Sequence, residues 1–143
     1  MTNFKKILVP FDGSEHAKRA LMQAVYLVEL CGATLALLHV VDLNKKISTF
    51  EQVSTGGYVP GELKEGGYHL LADAIHLVPK EIAVGTIVKI GQPSEVIIDT
   101  CKEGQYDLIV MGSRGFGKLK QHFMGSVSQY VLYYANCPVM IVR

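Results

Sequence analysis

Short runs of consecutive apolar residues alternate along this chain with longer stretches whose apolar positions recur every three or four residues. The runs are residues 6–9 (KILV), 34–41 (TLALLHVV), 83–89 (AVGTIVK), 107–111 (DLIVM) and 138–142 (PVMIV). Unbroken apolarity over four to eight residues marks a strand covered on both faces, as in a parallel sheet flanked by helices. Between the first two runs, Ala17, Ala20, Leu21, Ala24, Val25, Val28 and Cys31 fall on one helical face, with Ser14 placed to cap the helix and Gly32 to stop it. Residues 62–78 repeat the pattern with Leu63, Leu70, Leu71, Ala74, Ile75 and Val78 on one side. The pair Gly66-Gly67 weakens the first turns of that helix by about 1 kcal/mol per glycine relative to alanine. Pro93-Ser94 opens a third helix, with Val96, Ile97 and Cys101 facing inward and Gly104 ending it, and residues 125–134 form a fourth. The alternation β-α-β-α-β-α-β-α-β requires parallel strands joined by right-handed crossovers.

Residues 42–61 interrupt this rhythm. They are polar and irregular, with Gly56-Gly57 and Pro60, and a connection of that length in a compact domain reads as a lid or a disordered loop. The chain's 143 residues suit one domain, and 49% apolar with 19% charged residues is a globular composition. A domain of this length buries roughly two-thirds of its unfolded surface and needs no metal or disulfide to hold a core. No apolar run approaches the roughly 18 residues that span a bilayer, and MTNFKKILVPFD lacks the long apolar stretch of a secretory signal. Cys31, Cys101 and Cys137 are odd in number and contain no CxxC pair, so they read as reduced and mostly buried, as expected of a cytoplasmic protein. Nothing in their spacing supports a redox role.

Net charge is +1, which argues against a nucleic-acid or other polyanion binder, but the charge is unevenly spread. Residues 108–143 contain Arg114, Lys118, Lys120 and Arg143 and no acidic residue. An acid-free stretch with three cations around a glycine turn suits an anion of modest size. Ligands of open parallel sheets bind beyond the carboxyl ends of the strands, where the strand order reverses. Three segments lie there: residues 9–14, 40–42 and 111–126. The last reads MGSRGFGKLKQHFMGS. Gly112, Gly115 and Gly117 allow positive φ and a close approach of main-chain amides to an anion, and Gly125-Ser126 open a helix whose first N–H groups favour phosphate. Asp12, at the end of the first strand, can accept from ribose hydroxyls or cap the following helix.

Other constellations are weaker. Gly112-x4-Gly117-Lys118 nearly spells a P-loop, yet Leu119 stands where Ser or Thr must ligate magnesium. His69 and His76 lack a third metal ligand, so no metal site is assigned. His39, inside an apolar strand, reads as a satisfied buried histidine. A single acid ends the first strand, where a phosphoreceiver domain has an acidic pair.

The spacing Gly112-x2-Gly115-x9-Gly125-Ser126 matches the nucleotide-binding motif G-x2-G-x9-G-(S/T) at every fixed position, and the chain resembles the universal stress protein family. KKILVPFDGSEHAKRAL, LLHVVD, DLIVMGSRG and CPVMIV carry the same resemblance, which covers nearly the whole chain and is weakest over residues 45–80. In that family's ATP-binding branch, the matching positions imply the following. Pro10 and Asp12 border the ribose and adenine, and Val40 meets the adenine through its backbone. Met111, Gly112, Arg114 and Gly115 wrap the ribose and phosphates. Gly125, Ser126 and Val127 hold the phosphates by main-chain amides and the Ser126 hydroxyl. Lys118, Lys120 and His122 stand where they can meet the phosphate tail or face solvent.

The expected molecule is thus one Rossmann-like α/β/α domain over residues 1–143, with five parallel strands in the order 3-2-1-4-5. Its expected function is that of an ATP-binding stress-response regulator. The sequence does not choose among ATP, ADP and AMP, and a divalent cation such as Mg would accompany the phosphates. A slow ATPase and a nucleotide-independent interaction module remain the alternatives, since no general base stands beside the phosphate turn. The expected partners are a regulatory protein of unknown identity and a second copy of the chain, paired through residues 138–142.

Overall fold

The computed structural model describes residues 3–42, 60–115 and 123–143. The lid expected over residues 42–61 lies almost wholly outside the described residues, as do Gly117, Lys118, Leu119, Lys120 and His122. The elements run β1 (Lys6–Pro10), α1 (Glu15–Cys31), β2 (Thr34–Asp42), α2 (Pro60–Ile75), β3 (Val84–Gly91), α3 (Pro93–Glu103), β4 (Leu108–Gly112), α4 (Ser126–Tyr134) and β5 (Val139–Val142).

Ile7, Leu8 and Val9 have no exposed surface, and the strand they form is the centre of the sheet. The strand order is β3-β2-β1-β4-β5, every pairing is parallel, and the expected order is therefore found. Successive strand residues point to opposite faces. Ile7, Val9, Leu35, Leu37, Leu108 and Val110 pack against α1 and α2, while Leu8, Ala36, Leu38, Ile109 and Met111 pack against Ile97 and Cys101 of α3 and Val131 of α4. Two apolar cores on one sheet make a three-layer α/β/α architecture.

The helices follow from their stripes and caps. Ser14 Oγ accepts from the Ala17 amide (3.2 Å), and six of the seven apolar residues expected on the inner face of α1 are buried. The seventh, Cys31, is half-buried at the end of the same stripe. Gly32 then takes the left-handed conformation (φ 71°) that ends the helix. In α2, Leu71 and Ala74 are buried, but Ile75 is 38% exposed, because it sits at the flank of the stripe where the helix stops. The chain tightens there into three-residue turns (His76 N to Asp73 O, Leu77 N to Ala74 O, Val78 N to Ile75 O), which return Val78 to the core. Gly104 caps α3 without a positive φ (−84°); Gln105 takes the left-handed turn (φ 55°). Glycine is needed at 104 because a Cβ would strike the Tyr106 ring.

Candidate functional site

β1 stops at Pro10 opposite Leu38, whereas β2 continues to Asp42 beside β3. With β2 on one side of β1 and β4 on the other, the connections diverge at this end of the sheet and leave a crevice above β1. It holds a cavity of about 580 Å³, inside the roughly 300–1,000 Å³ range of small-molecule pockets. Pro10, Asp12, Val40, Met111, Gly112, Arg114, Gly115, Gly125, Ser126 and Val127, the residues singled out from the sequence, all line it.

Asp12 stands in the turn between β1 and α1. Its Oδ1 accepts from the Ser14 amide at 2.9 Å and so braces the turn into α1, and Gly13 supplies that turn's positive φ (86°). Its Oδ2 faces Gly115, where an added Cβ would stand 2.5 Å away. Neither Gly112 nor Gly115 uses the positive φ that glycine allows. Space is the reason for glycine here. A Cβ on residue 112 would stand 2.7 Å from His16 Cβ and 2.8 Å from the His16 carbonyl carbon, so only glycine lets β4 end against the first turn of α1.

The far side of the segment is tied to its near side. The Gly125 amide donates to Ser113 O at 2.7 Å, and Ser128 Oγ donates to the same oxygen at 2.8 Å. The Gly125 N–H is therefore committed to the loop, which changes the expectation that it would meet a phosphate. Gly125 is the N-cap of α4 and offers no side-chain cap, so the first-turn amides of Ser126, Val127 and Ser128 are the helix donors at this end of the crevice. A helix N-terminus carries a partial positive charge, which favours an anion there.

Arg114 adds a full positive charge. One of its nitrogens (Nη2) lies 3.4 Å from His16 Nε2. Burial, with the nearby Arg19 and Arg114 guanidiniums, holds the His16 pKa below its ordinary value against the opposing pull of Asp12. The imidazole is accordingly neutral at pH 7, and Nε2 accepts from Arg114. His39 Nδ1 bonds Phe11 O at 2.9 Å, so the histidine is satisfied as expected, but it is only partly buried and also lines the cavity.

The model of the universal stress protein family matches residues 3–143. The chain belongs to this family. Universal stress protein YxiE of Bacillus subtilis is 36% identical over 98% of the chain and 99% of its own length. Among solved structures, universal stress protein UspA from Lactobacillus plantarum superposes with a TM-score of 0.74 at 26% identity, covering both chains completely. The universal stress protein from Archaeoglobus fulgidus in complex with dAMP has a TM-score of 0.72 at 23% identity, over 99% of this chain and 100% of its own.

Relative to the family motif, the site is wider than the sequence indicated. Leu63, Gly66 and Gly67 of α2 and Pro93 and Ile97 of α3 also line the cavity. Gly66-Gly67 was legible only as a weak place in a helix. Gly67 is in fact where α2 lies tight against the sheet: a Cβ there would meet Val88 Cγ1 at 2.8 Å and His39 Cδ2 at 2.9 Å. His16 was passed over because it stands in an ordinary amphipathic helix, and only its contact with Arg114 reveals its place. His69 is exposed beside Glu65 (3.8 Å), and His76 lies beyond the end of α2. Among the described residues no group of three His, Cys, Asp or Glu could hold a metal, and no helix is long and apolar enough to cross a membrane.

Proposed function

We propose that this universal stress protein is an adenine-nucleotide-binding regulator, taking ATP, with ADP and AMP as competing ligands, in the crevice between β1 and β4. The observation that carries this reading is the convergence of a cation, helix-terminal amides and a glycine-lined wall on one cavity. Arg114 and the amides of Ser126, Val127 and Ser128 supply donors for phosphate, the oxygen of Asp12 facing Gly115 suits a ribose hydroxyl, and the apolar end by Val40 and Leu63 suits a base. The fold shared with a dAMP-bound protein supports the same class of ligand.

Bound nucleotide would supply negative charge between Arg114 and the start of α4, favouring whichever state of the protein brings the two together. That differential affinity is what a switch requires. A divalent cation such as Mg would enter with the phosphates, since among the described residues the cavity's carboxylates are Asp12, after β1, and Asp42, the last residue of β2. Regulation then passes to a partner protein or to a second copy of the chain across the open edge of β5 in a cytoplasmic setting.

Equilibrium binding of labelled ATP to wild type and Gly115→Val tests the site. The valine would fill the space beside Asp12 Oδ2. Affinity should fall about 100-fold, the equivalent of ~2.7 kcal/mol, with the circular dichroism spectrum unchanged. Equal affinity in the two proteins would favour an interaction module whose glycines only shape a turn. Rapid, sustained phosphate release by the wild type would replace the regulator with an ATPase.

A further inference from the structure

Two of the three cysteines, far apart in sequence, meet in space, whereas Cys31 lies on the other side of the sheet. Cys101 in the last turn of α3 and Cys137 just before β5 bring their sulfurs to 3.3 Å, and both are free thiols. Cys101 Sγ also reaches Tyr106 O at 3.5 Å, which fixes its rotamer toward this corner. The pair is open to small molecules: a second cavity of about 190 Å³ is lined by both cysteines together with Ile98, Tyr106, Ala135 and Asn136. It lies on the α3–α4 side of the sheet and shares no lining residue with the crevice above β1.

We propose that Cys101 and Cys137 form a reversible disulfide site that responds to hydroperoxide. Cys137, the half-buried member, attacks one peroxide oxygen as its thiolate; the O–O bond breaks and a sulfenic acid forms. The Cys101 sulfur then displaces the sulfenic oxygen as water and the S–S bond closes. Two thiols and one hydrogen peroxide give one disulfide and two waters. Closing the pair from 3.3 Å to the roughly 2.05 Å of a disulfide needs sulfur movement of little more than about 1 Å, within the reach of a χ1 adjustment. Burial and the contact with Cys101 push the Cys137 thiol up to about 12, so little of Cys137 is thiolate at neutral pH and the site reacts slowly without sustained oxidant.

The bond would have a structural consequence. The cysteines are 36 positions apart, and the stretch between them contains β4, the glycine segment of the crevice and α4. Oxidation would therefore close β4 and α4 into a covalent ring and clip the end of α3 to the entry of the edge strand.

The full chain is incubated with hydrogen peroxide at pH 8.5, and free thiols are titrated under denaturing conditions before and after dithiothreitol. Three thiols should fall to one and return to three, and non-reducing peptide mapping should show one Cys101–Cys137 linkage. The oxidised protein should melt about 5 °C or more above the reduced one, as expected when a cross-link constrains the unfolded chain. Cys137→Ser, at a half-buried position that tolerates the exchange better than Cys101, should form no intramolecular linkage. Retention of three thiols, sulfinic acid in place of the linkage, or a linkage through Cys31 would each overturn the proposal, as would an intramolecular disulfide in Cys137→Ser.

Discussion

His16 shows how much of this site depends on single side chains that no motif marks. Its imidazole is held neutral by burial and by Arg19 and Arg114, with Asp12 opposing. A histidine with a folded pKa below its unfolded value of about 6.5 leaves the unfolded chain binding more protons as pH falls. The stability linked to it is thus present above about pH 6.5 and is lost progressively below that value. Thermal melts at pH 7.5 and 5.5 should show a drop in Tm on acidification that is smaller in His16→Asn, whose amide does not titrate. An anion beside Arg114 would oppose the same effect by offsetting the guanidinium charge. ATP should accordingly raise the wild-type Tm more at pH 6 than at pH 8, and that difference should shrink in the variant. A pH dependence identical in the two proteins would remove His16 from the electrostatics of the crevice.

At the scale of the elements, α2 sets two opposing effects against each other at adjacent positions. Gly66 is exposed with nothing within 4 Å of where a Cβ would stand, so alanine there gains helix propensity alone. Gly66→Ala should stabilise the protein by about 1 kcal/mol, or about 3 °C in Tm for a domain of this size. Gly67 would gain the same propensity, but its Cβ would overlap Val88 and His39, and overpacking costs about 1–3 kcal/mol. The clash outweighs the propensity: Gly67→Ala should lower Tm, and calorimetry of the two variants separates them by sign. These two glycines also mark where sequence reading stops. The strands were legible because continuous apolar runs mark them, although β3 and β5 are less covered than such runs imply. The three segments of the crevice were legible because strand ends fix where a parallel sheet opens, and the family resemblance supplied the individual residues. A glycine selected by the approach of a neighbouring element carries no such signature. Gly112 and Gly115 invited a positive-φ explanation, whereas their φ values are ordinary and the constraint is His16 in one case and Asp12 in the other. Likewise the Gly125 amide could be assigned to a ligand only until its bond to Ser113 was visible.

For the whole molecule, the question is what covers β5. Its four residues pair with β4 on one side, and it ends the strand order. The direction of its remaining groups follows from the ladder. Pro138 O accepts from Ile109 N, and Val142 O accepts from Ser113 N, so the even-numbered residues turn their main chain toward β4. In a parallel strand alternate residues bond to opposite sides, which leaves Val139 and Ile141 directing theirs outward. An edge of that kind is a template for pairing with another strand, and a two-fold axis across it would place two β5 strands antiparallel and join two five-stranded sheets into one. Ile141→Pro isolates this role. It removes one outward N–H while sparing the bonds to β4, and proline is tolerated on an edge strand for that reason. Sedimentation should find a wild-type dimer at micromolar concentration and a folded Ile141→Pro monomer, with ATP affinity changed little because the crevice above β1 does not include Ile141. A wild-type monomer, or a variant that remains a dimer, would move any self-association away from this edge. The exposed tyrosines of α4 would then be the next surface to mutate: Tyr133 is 83% exposed and packs edge-on against Tyr134, whose ring also lies 4.5 Å from that of Tyr130.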